Sequence, residues 1–319
     1  MEELFYKLKE FFSKMFVSSS AQADEINRLF IIFLIISAVI LAIVAFMVVG
    51  GIVFYHSKKR KNPRQIFGNT RLEIIWTVIP FIIVTVLFFL SLKVMRQINE
   101  PVVDGRKPDI SIIAHQWWWE FHYPSENVTT ANELHIPVGK KLLMSIKSAD
   151  VIHSWWVSSL GRKIDAIPGQ VNFGWISADT VGVYEGTCSE YCGTEHAWMR
   201  IKVIAESDSD FNNWIDNQKL NAVKPVNQIG IMGERLFQQK TCGNCHTISG
   251  TPANKHIGPD LSHVASRQTL LSGMVVNSSN NLKKWIEDPQ KMKKGSNMPN
   301  FRMNKKEVDA LVNYLEQLK

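Results

Sequence analysis

Two stretches without a single charged residue, 29–55 and 74–92, constrain this chain more than any other feature in it. A helix needs about 20 apolar residues to cross a bilayer core, so the first stretch spans with length to spare and the second just suffices. Between them lie Lys58, Lys59, Arg60, Lys61, Arg64 and Arg71, with no acid before Glu73. That bias marks the connecting loop as cytoplasmic and sends both termini outward. Pro80 falls inside the second stretch and is expected to kink that helix. The first residues lack a basic segment followed by an apolar run, so no signal peptide is expected. Leu4, Phe5, Leu8, Phe11, Phe12 and Met15 fit one side of a short amphipathic helix at the membrane surface. No cysteine lies near the N-terminus for a lipid anchor, so the two helices are expected to hold the protein.

Beyond residue 100 the pattern changes to short β-like runs at 109–114, 117–123, 133–138, 141–146, 171–176, 182–186 and 199–204, separated by Gly, Pro and Asn. Such spacing implies a small all-β sandwich or barrel, a scaffold able to hold ligands on loops at one end. Residues 206–229 are polar and read as a short helix plus linker, after which the chain turns helical. In the last helix Asn304 and Glu307 are placed as a capping box, and Val308, Leu311, Val312, Leu315 and Leu318 follow at helical spacing. The chain thus divides into an outer segment 1–28, a helical hairpin 29–96, a β domain 101–205, a linker 206–229 and a helical domain 230–319. The net charge of +7 is uneven: residues 101–224 carry −4 and residues 225–319 carry +6. Ordinary solvation accounts for both surfaces; alternatively, opposite fields help the tail dock on the β domain or on acidic partners. No nucleic-acid partner is expected.

All four cysteines fall in two motifs, Cys188-Ser-Glu-Tyr-Cys192-Gly-Thr-Glu-His196-Ala-Trp-Met199 and Cys242-Gly-Asn-Cys245-His246. Cys188 and Cys192 alone could close a tight disulfide in an oxidising compartment. His196 and Met199 favour copper instead, because imidazole, thiolate and a weakly held thioether are the donors of copper electron-transfer sites. Two thiolates suggest two ions bridged by both sulfurs, each needing an imidazole, and His153 is the best candidate for the second. The other motif is the attachment pattern of a c-type haem: two thiols for thioether bonds and an adjacent histidine for the iron. A redox dithiol would need a βαβ pattern around it, and none is present. Met274, Met292, Met298 and Met303 are candidates for the sixth iron ligand.

Asp-Val-Ile-His-Ser-Trp at 150–155, the Cys-Ser-Glu-Tyr-Cys-Gly-x-x-His-x-x-Met run at 188–199 and the tryptophan-rich segment before them resemble subunit II of the haem-copper cytochrome c oxidases, over residues 23–205. The resemblance implies a cupredoxin fold carrying a dinuclear copper centre, CuA. Its ligands would be His153, Cys188, Cys192, His196, Met199 and the backbone carbonyl of Glu190. It also implies that Trp117 receives electrons and that Trp119 lies near the copper. The Glu190 side chain would touch a magnesium or manganese ion at the boundary with subunit I, and Glu73 would mark the cytoplasmic mouth of a proton channel.

Residues 230–319 resemble a class I cytochrome c, with Gly233 and Phe237 before the haem motif, Gly258-Pro-Asp-Leu after it and Tyr314-Leu315 in the closing helix. By that resemblance the sixth ligand is Met298, in Asn297-Met298-Pro299. The implied fold class is a two-helix transmembrane hairpin, then an all-β cupredoxin-like domain and an all-α class I cytochrome c domain. The implied function is that of an electron-transfer subunit of a terminal respiratory cytochrome c oxidase, a proton-translocating oxidoreductase whose oxygen-binding site lies on subunit I. It would sit in the bacterial cytoplasmic membrane with both redox domains on the periplasmic side, passing electrons from haem c to CuA and on to subunit I. Expected partners are subunit I, other oxidase subunits and an upstream donor such as a cytochrome c or a quinol-oxidising complex. A CuA-bearing nitric oxide reductase subunit is the nearest alternative, and a membrane-tethered copper-delivery protein is the alternative of another class. A quinol oxidase subunit is disfavoured, because that branch lacks the copper ligands.

Overall fold

The computed structural model describes residues 17–54, 67–99 and 105–319. The amphipathic segment expected at the N-terminus and most of the basic loop between the apolar stretches lie outside the described residues. The chain forms two compact units, one containing the long helices and the other residues 17–21 and 102–319.

In the first unit α1 (Ala21–Phe54) and α2 (Thr70–Ile98) are both long and apolar enough to cross a membrane. Nearly all their large side chains face outward, which suits a lipid solvent and not a soluble core. Gln22 Nε2 donates to the Ile98 carbonyl at 3.2 Å, so the start of α1 lies beside the end of α2, as an antiparallel hairpin requires. Asn69 caps α2 by accepting the Leu72 amide at 3.3 Å. The hydroxyls of Thr77, Thr85 and Ser91 each donate to a carbonyl one turn back at 2.8 Å, which satisfies them inside the helix. Pro80 lies inside α2, which continues past it.

The β domain is a sandwich of two five-stranded sheets. One has the order β3 (Val128–Ala131), β2 (Trp118–Tyr123), β1 (Ile110–His115), β5 (Leu142–Ser148), β8 (Asn172–Ile176). The other runs β4 (Glu133–Pro137), β10 (Arg200–Glu206), β9 (Gly182–Cys188), β6 (His153–Trp156), β7 (Ile164–Ala166). The β1–β5 and β10–β4 pairs are parallel and the rest antiparallel. β1 alternates buried and half-buried positions, and Ile110, Ile112 and Ala114 point into the core with Phe121, Leu134, Ile146 and Trp155. Helix α3 (Asp208–Gln218) closes one edge, with the Trp214 ring stacked 4.1 Å from the His135 ring and Tyr123 hydrogen-bonded to the His135 backbone at 2.7 and 3.0 Å.

In the tail, α4 (Gln228–Gln239) crosses α6 (Lys305–Leu315). The crossing is close because of Gly233: a Cβ there would lie 2.1 Å from the Ala310 carbonyl oxygen. Phe237 meets Tyr314 edge-on beside it at 6.1 Å. The capping box expected at Asn304 is present, with Glu307 Oε2 accepting the Asn304 amide at 2.9 Å and Asn304 Oδ1 accepting the Glu307 amide at 3.1 Å. Helix α5 (Ser279–Glu287) packs Leu282 and Ile286 into the same core. A two-residue hairpin, β11 (Thr269–Leu270) with β12 (Val275–Val276), is the one sheet in this half among the described residues.

Candidate copper and haem sites

The copper donors gather where three strands of the second sheet end. β9 stops at Cys188 and β10 begins at Arg200, and the Cys188 amide bonds the Met199 carbonyl at 2.9 Å, so the connection 189–198 is a loop closed at its neck. β6 opens on His153 and pairs with β9 at Trp155 and Cys188, while the Ser189 amide donates to the Ser154 carbonyl at 2.9 Å. His153, Cys188 and Met199 are therefore set by sheet register, and Cys192 and His196 by the loop.

Both cysteines are free and buried. Their sulfurs lie 3.8 Å apart; His153 Nδ1 is 3.9 Å from Cys188 Sγ, His196 Nδ1 is 3.6 Å from Cys192 Sγ, Met199 Sδ is 3.9 Å from Cys192 Sγ, and the Glu190 carbonyl oxygen is 3.3 Å from Cys188 Sγ. Two donors on one tetrahedral ion with metal–sulfur bonds near 2.3 Å stand roughly 3.5 to 3.8 Å apart, so this ring has the edge lengths of shared coordination spheres. The two sulfurs lie between an imidazole at each end, the arrangement that two sulfur-bridged soft ions need.

Charges around the ring agree. Asp150 Oδ1 accepts from His153 Nε2 at 2.7 Å, which leaves Nδ1 facing Cys188 as the ligating atom. Burial pulls the His153 imidazole down, but Asp150 and Cys188 outweigh it and the net shift is upward. Burial pushes the Asp150 carboxyl up, yet its bonds from His153, Gln116 and Val151 hold it below the ordinary range. The Cys192 thiol lowers Cys188 strongly, so one thiolate is favoured there, while Cys192 is held up by that same neighbour.

The haem motif follows α4 as a tight turn over Cys242–Asn244, with the Cys245 and His246 amides both bonded to the Cys242 carbonyl, at 3.1 and 3.0 Å. His246 Nδ1 lies 2.7 Å from the Pro259 carbonyl oxygen, which keeps the proton on Nδ1 and leaves Nε2 for iron. Burial holds the imidazole below its usual value and so keeps it neutral, the form that ligates. A Cβ at Gly258 would sit 2.6 Å from His246 Cε1, so only glycine leaves the ring its place. Met298 is half-buried, with its carbonyl accepting from Gln290 Nε2 at 3.1 Å, whereas Met303 is packed against the apolar core of the tail. The residues present fit a covalently held haem.

Comparison with known proteins gives the family of each part of the chain. The family model of the cytochrome c oxidase subunit II transmembrane domain matches residues 9–94, that of its periplasmic domain matches 126–206, and that of cytochrome c matches 231–319. Cytochrome c oxidase subunit 2 of Alkalihalophilus pseudofirmus is 34% identical over 297 residues, which cover 90% of this chain and 86% of that protein. The chain belongs to the cytochrome c oxidase subunit 2 family. Its Bacillus subtilis relative is 31% identical, over 83% of this chain and 80% of that one. The solved periplasmic domain of subunit II of Bradyrhizobium japonicum cytochrome oxidase is 33% identical, with a TM-score of 0.34 over 36% of this chain and 96% of that one.

In this subunit 2 chain Trp117 Nε1 donates to the Cys192 carbonyl at 3.0 Å, and Gln116 Nε2 donates to the same oxygen at 2.8 Å. Trp119 is fully buried, edge-on to His153 at 6.2 Å and to Trp155 at 5.4 Å. The Glu190 side chain is exposed, and Glu73 lies exposed in the first turn of α2. Four other histidines have protein partners away from the copper ring: His115 stacks on Trp118, His122 meets Thr129, His135 meets Glu206 and His263 meets the Leu220 carbonyl. Two groups escaped the sequence reading, Asp150 and the Pro259 carbonyl. Asp150 had a signal, a carboxylate three residues before a candidate ligand histidine; a backbone carbonyl has none.

Proposed function

We propose that this chain is the electron-accepting subunit of a terminal respiratory oxidase, taking electrons into a c-type haem, passing them to a dinuclear copper centre and delivering them to the haem-copper site of subunit I. The observation that carries this reading is the closed donor ring around Cys188 and Cys192 in the same compact unit as the haem motif. The chemistry the two groups supply when bound is one-electron exchange, the haem iron being oxidised as the copper pair is reduced, with no bond made or broken.

The protein's part is to hold donors still. Asp150 fixes the His153 ring, the β9–β10 neck fixes Cys188 against Met199, and Trp117 and Gln116 pin the backbone at Cys192. A rigid, preformed ring limits geometric change between redox states and so favours fast transfer. Met298 would hold the iron together with His246, a donor pair that would raise the potential and close the iron to small ligands. Glu190 offers a hard oxygen donor for magnesium or manganese beside its copper-facing carbonyl. Glu73, next to the basic loop in the sequence, would mark the cytoplasmic mouth of a proton path in subunit I. Both redox domains lie on the periplasmic side of the bacterial membrane, where a cytochrome c or a quinol-oxidising complex supplies electrons.

Gas consumption by the purified complex with a reduced donor tests the reading. Oxygen uptake is expected, and Cys192→Ser should abolish it while haem c still reduces at its normal rate. Nitric oxide consumption without oxygen uptake would move the chain to a nitric oxide reductase. Neither activity, together with one labile copper, would indicate metal delivery.

A further inference from the structure

The two cofactor domains meet through buried polar contacts that neither metal site requires. Glu133, in β4 and only 2% exposed, accepts the Gln268 amide at 3.0 Å, the Thr269 amide at 2.8 Å and the Thr269 hydroxyl at 2.7 Å. Beyond that hairpin strand, Leu271 and Ser272 both take left-handed backbone, with φ of 57° and 60°, a conformation unfavourable for residues with a Cβ. The turn aims the Ser272 hydroxyl at the Trp117 carbonyl, 2.7 Å away, and the Arg200 amide donates to the Ser272 carbonyl at 3.1 Å. Lys293, 4% exposed, reaches the same Trp117 oxygen at 2.7 Å. Burial pushes its ammonium down to about 8, against the opposing pull of Glu195 in the copper loop. Glu195 is itself buried, with Oε2 bonded to no described side chain.

A swinging tether has no use for buried charges and strained backbone at a contact face, because each costs free energy that only a persistent partner offsets. We infer that the haem-bearing domain is permanently seated on the copper-bearing domain, and that Ser272 and Lys293 are positioning residues that grip the Trp117 carbonyl. Trp117 in turn holds the Cys192 carbonyl, so ordered contacts run from the haem domain to a copper-bridging cysteine. Transfer across this face needs no domain search. This inference rests on the proposed relay for its purpose, but the seating itself does not depend on the metals.

The full oxidase complex tests both halves. Hydrogen exchange, with and without copper, should show the amides of Arg200, Gln268 and Thr269 protected as core amides are. Exchange at the rate of an exposed loop would overturn the seating whatever the metal content. Haem-to-copper transfer within the chain should change by less than about twofold between low and high salt, because buried contacts are weakly screened. Lys293→Met should slow transfer on the order of tenfold or more, with copper spectrum and haem content intact, since small misplacements of a reacting path are expensive. Lys293→Arg should recover most of the rate, and Ser272→Ala should show a smaller loss. A rate that falls steeply with salt, or that ignores Lys293→Met, would overturn the gripping role.

Discussion

Asp150 is the side chain on which the copper ring most depends without belonging to it. It bonds His153 Nε2 at 2.7 Å, the Gln116 amide at 2.6 Å and the Val151 amide at 2.6 Å, and so ties a ligand to the tryptophan segment. Asp150→Ala should weaken copper binding about 10- to 100-fold, measured by chelator competition, while Cys188 and Cys192 remain available. On the haem side, Met298→Leu should lower the iron potential and let carbon monoxide bind the reduced protein. Normal ligation in that variant would transfer the role to Met292 or Met303.

At the scale of elements, the α4–α6 crossing holds the cytochrome half together. Gly233→Ala would push a methyl group into the Ala310 carbonyl and the Tyr314 Cβ, and should destabilise this half by about 1 to 3 kcal/mol in thermal melts. Asn304→Ala should cost about 1 kcal/mol through the lost capping box of α6. The capping box and the apolar stripe of α6 were legible in sequence because both are local patterns. β3, β6 and β7 were not, being strands of four, four and three residues, too short to show alternation. The β1–β5 parallel pairing was equally hidden, since a register between distant strands leaves no mark in either one.

Across the whole molecule the same division between local and distant holds for function. Five of the six atoms around the copper ring come from residues within eleven positions of Cys188 and the sixth from the His153 motif, and the haem motif is five residues long, so both sites could be read from spacing. The grip on Trp117 joins positions 155 and 176 residues apart, and the Glu133 latch joins positions 135 and 136 apart. Only the folded chain brings them together. Opposite net charges on the two halves suggested docking, and the structure places the contact on a few buried groups where screening is weak. The relay stands or falls with a copper pair bridged by Cys188 and Cys192 on the chain that also carries a haem. Metal analysis of the purified complex, restricted to the copper bound by this subunit and joined to its electron paramagnetic resonance, decides whether that pair is there. Two coppers for each c-type haem, with one unpaired electron delocalised over both, are expected; a single copper with a localised signal, or a disulfide between Cys188 and Cys192, would contradict it.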